Sequence, residues 1–290
     1  MLERLINPKK AERKPWEMFF IGLIYASLSL LLVHWFFSSD PILSQYSGVI
    51  VVTFCVMFSL PFMYFIIRRE EKHDEYVDTE KFWSIWKIHK DAIYAFMWLF
   101  FGFLIAFSFW YILLGDGNLL NAQIGTYCSI NSPNNIGGCV SQYLPQNQTV
   151  ATGAATVSDP IKFISILENN LLVMIFTLIF SLIFGAGAIF ILAWNASVIS
   201  ASIGIFTRYN LIDIPLGLAR YMIHGFPEIA SYFIAALAGG ILGVGIARHG
   251  IKDKMFLRII QHTIILVLFA VLLLVIAGLM EVYLTPLLFS

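Results

Sequence analysis

The sequence predicts an all-α polytopic integral membrane protein. Hydrophobic residues make up 59% of the 290 residues and charged residues only 12%, whereas a soluble domain contains about 25% charged residues. The mean hydropathy is +0.81. Several apolar runs are about 20 residues long, which is enough for a helix to cross the hydrocarbon core of a bilayer. We expect about six transmembrane helices and one broken or re-entrant helical segment.

Six apolar runs are the candidates for these helices: Trp16–Phe37, Tyr46–Ile67, Ile93–Leu114, Leu171–Trp194, Pro227–Ala247 and Ile259–Glu281. Residues 1–15 are polar and basic and lead directly into the first run. A secretory signal has a shorter apolar core and a small-residue cleavage site, so we expect a retained helix. The chain then divides into three helices over 16–114, a loop over 115–161 and a second membrane domain over 162–290.

Residues 78–91, DTEKFWSIWKIHKD, lie between the second and third runs. They place Phe82, Trp86 and His89 near one helical face and the lysines elsewhere. This pattern predicts a short amphipathic helix at the cytoplasmic headgroup level. The alternative is a docking surface for a cytoplasmic partner.

The distribution of Lys and Arg predicts the orientation. Basic residues are concentrated in the N-terminal segment, in the loop between the second and third runs, and in the last loop, so these should be cytoplasmic. Gly115–Ile161 contains no Lys or Arg, and we expect it and the C-terminus to be extracytoplasmic. Cys128 and Cys139 can form a disulfide there, and Asn147 begins a glycosylation sequon. The formal net charge of zero argues against nucleic acid as a partner.

This orientation requires the segment Asn195–Gly225 to return the chain to the extracytoplasmic side, because the runs before and after it both end inside. The segment contains the polar break Arg208-Tyr209-Asn210, followed by Pro215 and Gly217. Such interruptions are typical of paired half-helices that line a substrate site. The alternative is a single distorted helix with a kink.

Polar residues from separate regions converge at the extracytoplasmic level on this topology. They are Asn169 and Asn170 in the fourth region, His224 and Glu228 in the fifth, and Glu281 in the sixth. Ionisable groups within spans are costly and usually find partners or a water-filled cavity. One interpretation is a polar clasp in which His224 bonds Glu228 or Glu281.

A second, chemically more specific interpretation of these residues is a metal site. However, Gly225 and Pro227 lie between His224 and Glu228, the helix is expected to start at Pro227, and there is no HExxH motif. The sequence does not show the three protein ligands that a catalytic zinc site requires. We therefore expect no metal, no cofactor and no catalytic residues.

Small residues on the fifth run predict a close helix contact. Ala235, Gly239 and Gly243 recur every four residues, which lets helix backbones approach. Gly185 and Gly187 are the expected complementary surface, either within the chain or in a homodimer. Asn195 is expected to satisfy backbone groups freed in the broken segment.

These residues resemble one known family. The resemblance rests on Asn169-Asn170, Gly185, Asn195, the stretch HGFPEIASYFIAALAGG from His224 to Gly240, and the terminal AGLMEVYLTP. The chain resembles the stage II sporulation protein M family, most closely its archaeal members. The resemblance covers about Glu168 to Pro286. The family's namesake is a membrane subunit that anchors partners in a peptidoglycan-remodelling complex. The resemblance marks His224, Glu228 and Glu281 as motif positions without an established catalytic role.

Three hypotheses of function follow. The first is a non-enzymatic multi-pass subunit that scaffolds or organises a membrane or envelope complex, with membrane or extracytoplasmic protein partners. The second is a permease-like transporter or channel that uses the segment 195–225. The third is a membrane metallohydrolase, which would bind metal through His224.

Overall fold

The structure is a computed structural model that describes residues 15–76, 82–132, 135–143, 159–184, 189–248 and 254–289. Nine α-helices lie in these residues: α1 Glu17–Phe37, α2 Ser47–Tyr76, α3 Phe82–Leu114, α4 Asn121–Asn131, α5 Ile136–Tyr143, α6 Asp159–Phe184, α7 Ile189–Phe206, α8 Ile214–Arg248 and α9 Lys254–Leu279. A π-helical segment, Met280–Leu284, continues α9 into a last turn, Thr285–Leu288. The described residues contain no β-strand.

Seven of these helices are long and apolar enough to cross a membrane, namely α1, α2, α3, α6, α7, α8 and α9. The prediction of an all-α polytopic membrane protein is therefore confirmed. The number of helices differs from the expectation, because the run Leu171–Trp194 is divided between α6 and α7. Helix α7 is the additional apolar helix between α6 and α8, in the region where the charge distribution predicts a further crossing.

The segment 195–225 is not a pair of half-helices in this structure. It contains the end of α7, a turn, and the start of the continuous helix α8. Pro215 lies in the first turn of α8, where a proline removes no intrahelical hydrogen bond and favours helix initiation. Pro227 lies inside α8, so the fifth predicted span begins 13 residues earlier than expected.

Residues 82–91 are the first turns of α3, not a separate amphipathic helix. The imidazole of His89 is buried and lies 2.7 Å from the Glu70 carboxylate of α2. This contact directs the His89 side chain into the bundle. Residues 78–81 and the side chains of Phe82 and Trp86 lie outside the described part of the chain.

Helix α8 forms the centre of the bundle. Every residue from Ser231 to Ile241 is buried, and α8 packs against α2, α3, α6, α7 and α9. The Phe233 ring lies 5.7 Å from the Phe96 ring and 6.0 Å from the Phe100 ring of α3. Aromatic side chains therefore fill the space between α3 and α8.

One end of the bundle carries a folded segment that we call the hairpin, residues 117–143. It contains α4 and α5, and a disulfide joins Cys128 to Cys139. The Gln123 amide donates to the Gly48 carbonyl of α2 at 2.9 Å and to the Ser197 hydroxyl of α7 at 3.0 Å. The hairpin is therefore anchored to two membrane helices, and we call its side of the bundle the hairpin end.

The turn between α7 and α8 also lies at the hairpin end. Arg208 and Tyr209 have φ angles of 51° and 60°, which place two consecutive non-glycine residues in the left-handed region. Such a conformation costs about 1–2 kcal/mol per residue. The surrounding contacts must offset that cost.

Candidate functional site

The structure brings three of the predicted polar residues together between α8 and α9. His224 and Glu228 lie one turn apart on the continuous helix α8, and Glu281 lies on the π-helical segment opposite them. The Glu281 carboxylate is close enough to interact electrostatically with Glu228. With Tyr232 and Thr285, these residues form what we call the polar cluster.

Glu228 has a specific hydrogen-bond donor. The Tyr232 hydroxyl donates to Glu228 Oε1 at 2.9 Å. These residues are four apart on α8, so their side chains share one helical face. The Tyr232 ring is buried and the Glu228 side chain is partly buried, so this bond forms at the edge of the packed interior.

His224 bonds to neither of the carboxylates proposed from the sequence. Its Nδ1 lies 3.0 Å from the Thr285 hydroxyl, and that hydroxyl donates to the Met280 carbonyl at 3.1 Å. Because a threonine has one hydroxyl proton, Nδ1 of His224 is the donor to Thr285. The imidazole therefore ties α8 to the last turn, Thr285–Leu288, which follows the π-helical segment.

Two cationic residues surround the polar cluster. Lys162 of α6 interacts electrostatically with both His224 and Glu281. Arg220 lies one turn before His224, donates to the Phe289 carbonyl at 3.2 Å, and stacks 4.8 Å from the centroid of the Phe206 ring. The cluster therefore combines two carboxylates, an imidazole and two cations on three helices.

The arrangement favours hydrogen bonding and charge pairing. Across the described ranges, no group of three or more His, Cys, Asp or Glu side chains is placed to hold a metal ion. The π-helical segment carries Glu281 and ends directly before Thr285, and π-helical turns occur frequently at functional sites.

The family of the chain is decided by one comparison. Residues 11–286 match the family model described as Stage II sporulation protein M. The chain belongs to the Stage II sporulation protein M family. Searches of curated proteins and of solved structures give no match. The family match extends beyond Glu168–Pro286 to the first three membrane helices of this family member.

The asparagines predicted for the site make hydrogen bonds within their own helices. Asn169 and Asn170 lie on α6, where the Asn169 amide donates to the Asn170 side-chain oxygen at 3.3 Å. Asn195 donates to the Ile191 carbonyl of its own helix at 2.7 Å. Since α7 is intact at this point, Asn195 has no broken backbone to satisfy.

The small residues of α8 pack against α6 of the same chain. A Cβ atom on Gly239 or Gly243 would lie under 3.0 Å from the backbone oxygen of Leu178 or Leu182 on α6. The Ser181 hydroxyl of α6 donates to the Ala236 carbonyl at 2.6 Å. Ala235 is buried on α8. Gly185 and Gly187, the expected complementary surface, lie outside the described residues.

Four residues at or near the site were missed from the sequence: Lys162, Arg220, Tyr232 and Thr285. The four-residue spacing from Glu228 to Tyr232 was a usable signal for one of them. The partnership of His224 with Thr285 depends on the π-helical turn, for which the sequence offers no marker.

Replacing Tyr232 by phenylalanine tests the geometry of the cluster. The Tyr232→Phe variant keeps the buried ring but removes the donor to Glu228, so we expect a loss of about 1–3 kcal/mol in the free energy of unfolding. Thermal unfolding in lipid nanodiscs measures the change. The control is Tyr283→Phe, because Tyr283 is 46% exposed on the neighbouring π-helical segment. Equal loss in both variants would contradict the role of the bond.

Proposed function

We propose that this chain is a non-enzymatic, multi-pass subunit that organises a membrane or envelope complex through its hairpin end. The observation that carries this proposal is the anchored hairpin. Its disulfide and its Gln123 hydrogen bonds fix α4 and α5 on the bundle. A fixed surface of this kind suits the binding of a protein partner, since preorganisation lowers the entropic cost of association.

The exposed side of the hairpin supports the same proposal. Ile130 is 61% exposed and Ile136 is 42% exposed, and both lie outside the helices that are long enough to cross a membrane. Short polar residues and glycines make up most of the sequence around them, and residues 117–143 contain no Asp, Glu, Lys or Arg. Apolar side chains within an uncharged surface are a suitable centre for a protein interface.

The packed interior favours an organising role over transport. The largest fully buried side chains include Phe96, Phe100, Phe103, Phe107, Tyr111 and Phe233. A conducting pathway needs polar or charged groups along a pore. The aromatic packing between α3 and α8 leaves that region apolar.

Site-specific photocrosslinking in native membranes tests the proposal. A photoreactive residue at position 130 or 136 should yield a reproducible adduct with a different polypeptide. The matched control is position 272 of α9, where Leu272 is 54% exposed within a membrane-crossing helix and should yield lipid adducts. Lipid adducts alone at all three positions, with purification of the chain by itself, would overturn the proposal.

A second candidate function, a permease, is favoured by the polar cluster. Ionisable residues within membrane-crossing helices often mark ion pathways, and His224, Glu228 and Glu281 lie within two such helices. A permease should move protons or monovalent cations across liposomes that contain the purified protein. That flux should be lost in the Glu228→Gln variant.

A further inference from the structure

The strained turn between α7 and α8 needs contacts that hold it. Arg208 and Tyr209 are both in the left-handed region, which residues with a Cβ atom rarely adopt. Conformations of this kind persist only where the surrounding structure determines them. Backbone hydrogen bonds close the turn, since the Tyr209 amide donates to the Gly204 carbonyl at 3.0 Å and the Asn210 amide donates to the Thr207 carbonyl at 3.0 Å. Arg208 is exposed, so the side-chain contacts that connect this turn to other elements are those of Tyr209.

Tyr209 reaches two other elements. Its hydroxyl donates to the Tyr143 backbone carbonyl at 3.2 Å and lies 3.1 Å from the Tyr111 hydroxyl of α3. The Tyr209 and Tyr111 rings are 5.6 Å apart. Burial raises the pKa of Tyr209, so its hydroxyl keeps the proton that it donates to Tyr143.

The acceptor of this hydrogen bond is positioned by the disulfide. Tyr143 is the last residue of α5, and Cys139, one turn earlier, is bonded to Cys128 of α4. The Tyr143 ring also packs 5.9 Å from the Tyr127 ring of α4. Since Gln123 fixes α4 to α2 and α7, the disulfide connects the bundle to the carbonyl that Tyr209 needs.

We propose that the Cys128–Cys139 disulfide is a redox-sensitive latch that fixes the α7–α8 turn through the hydrogen bond from Tyr209 to Tyr143. When the disulfide is oxidised, α5 is held in place and the turn is closed. A dithiol reductant adds two electrons and two protons, which give two cysteine thiols, and is itself oxidised to a disulfide. Helix α5 then separates from α4, Tyr209 loses its acceptor, and the turn relaxes.

Relaxation of the turn would extend into α8. Asn210 lies directly after Tyr209, and its side-chain oxygen accepts from the Ile212 amide at 3.1 Å in the short 3-10 turn, Leu211–Asp213, that leads into α8. Two turns into the helix, Arg220 donates to Phe289. The latch therefore controls the end of α8 that leads to the polar cluster.

Limited trypsin digestion measures the state of the latch directly, because Arg208 is exposed and trypsin cleaves after arginine. The full chain in lipid nanodiscs is digested with and without a phosphine reductant. The phosphine gives two electrons to the disulfide, and one water molecule supplies the oxygen of the phosphine oxide and the two protons of the thiols. The fragment that begins at Tyr209 is quantified by mass spectrometry. Reduction should raise its rate of formation at least about fivefold, as expected when a local opening equilibrium loses a tertiary hydrogen bond. Cleavage after Arg248, at the opposite end of α8, is the internal reference.

Two sets of variants separate the latch from general loosening. Tyr209→Phe should raise cleavage after Arg208 with the disulfide intact, whereas Tyr283→Phe should leave it unchanged. Cys128→Ser/Cys139→Ser should match the reduced protein. If the double variant does not fold, reduction of the disulfide in the folded wild-type protein still tests whether the disulfide holds the turn. Unchanged cleavage after Arg208 on reduction would overturn the proposal, as would an equal increase after Arg208 and Arg248.

Discussion

Replacing Gly239 by alanine should cause one of the largest losses of stability in this protein. The added Cβ atom would lie under 3.0 Å from the Leu178 backbone oxygen, and a backbone atom cannot move aside as a flexible side chain can. Helix α6 would have to shift as a whole, which would also stretch the bond from Ser181 to Ala236. Overpacking of a core costs about 1–3 kcal/mol and occasionally more. We expect about 3 kcal/mol for Gly239→Ala, measured by thermal unfolding in nanodiscs.

Gly225 offers a matched control on the same helix. A Cβ atom there would meet only the Met222 sulfur, at an ordinary 3.8 Å. Alanine is the better helix former by about 1 kcal/mol, so Gly225→Ala should leave stability unchanged or raise it. Gly243→Ala, which meets the Leu182 backbone, should behave like Gly239→Ala. If all three variants unfolded at the same temperature, the α6–α8 contact would not be the close seam described here.

The class of the protein and its first three membrane helices could be predicted from composition and apolar runs. The separation of α6 from α7 could not. Lys162 and Glu168 are polar and both are exposed on α6, so they mark one face of the helix and not its beginning. Hydropathy alone therefore predicts a start of α6 that is too late, at Leu171, and joins α6 to α7 in one run.

Three members of the polar cluster could be predicted from the sequence, but the hydrogen bonds that they make could not. The charge distribution placed His224, Glu228 and Glu281 at one level, and the structure brings them together. The bond from His224 to Thr285 depends on the π-helical segment Met280–Leu284. Since a π-helical turn rotates the residues that follow it relative to a regular α-helix, sequence spacing could not identify the partner.

The buried pair of Glu70 and His89, at the opposite end of the bundle, is a second contact that could not be predicted from the sequence. Neither residue stood out as part of a pair, because they lie on consecutive helices and are 19 residues apart. His89 was assigned to a helix at the membrane surface. The attraction between a buried carboxylate and an imidazole instead holds the start of α3 against α2.

Removing one partner of this pair should therefore be strongly destabilising. His89 Nδ1 lies 2.7 Å from Glu70 Oε2, and both side chains are buried. The His89→Ala variant removes the imidazole from beside a buried carboxylate. Removing a hydrogen-bond partner from a buried group costs about 1–3 kcal/mol, and more where the group is charged, so we expect a loss of about 3 kcal/mol. Unfolding of His89→Ala, His89→Leu, Glu70→Leu and the wild type in nanodiscs measures the effect.

The double variant Glu70→Leu/His89→Leu distinguishes a coupled pair from two independent contributions. Because replacing both partners of a buried polar pair by apolar groups of similar shape can be nearly neutral, the double variant should be more stable than either single variant. Glu70 and His89 both have interactions beyond this pair, so we expect partial recovery. Losses that simply add in the double variant would mean that the two residues act independently. A recovery of stability would instead show that the carboxylate needs the imidazole, and that the close contact of α2 with α3 at this end does not require a charge.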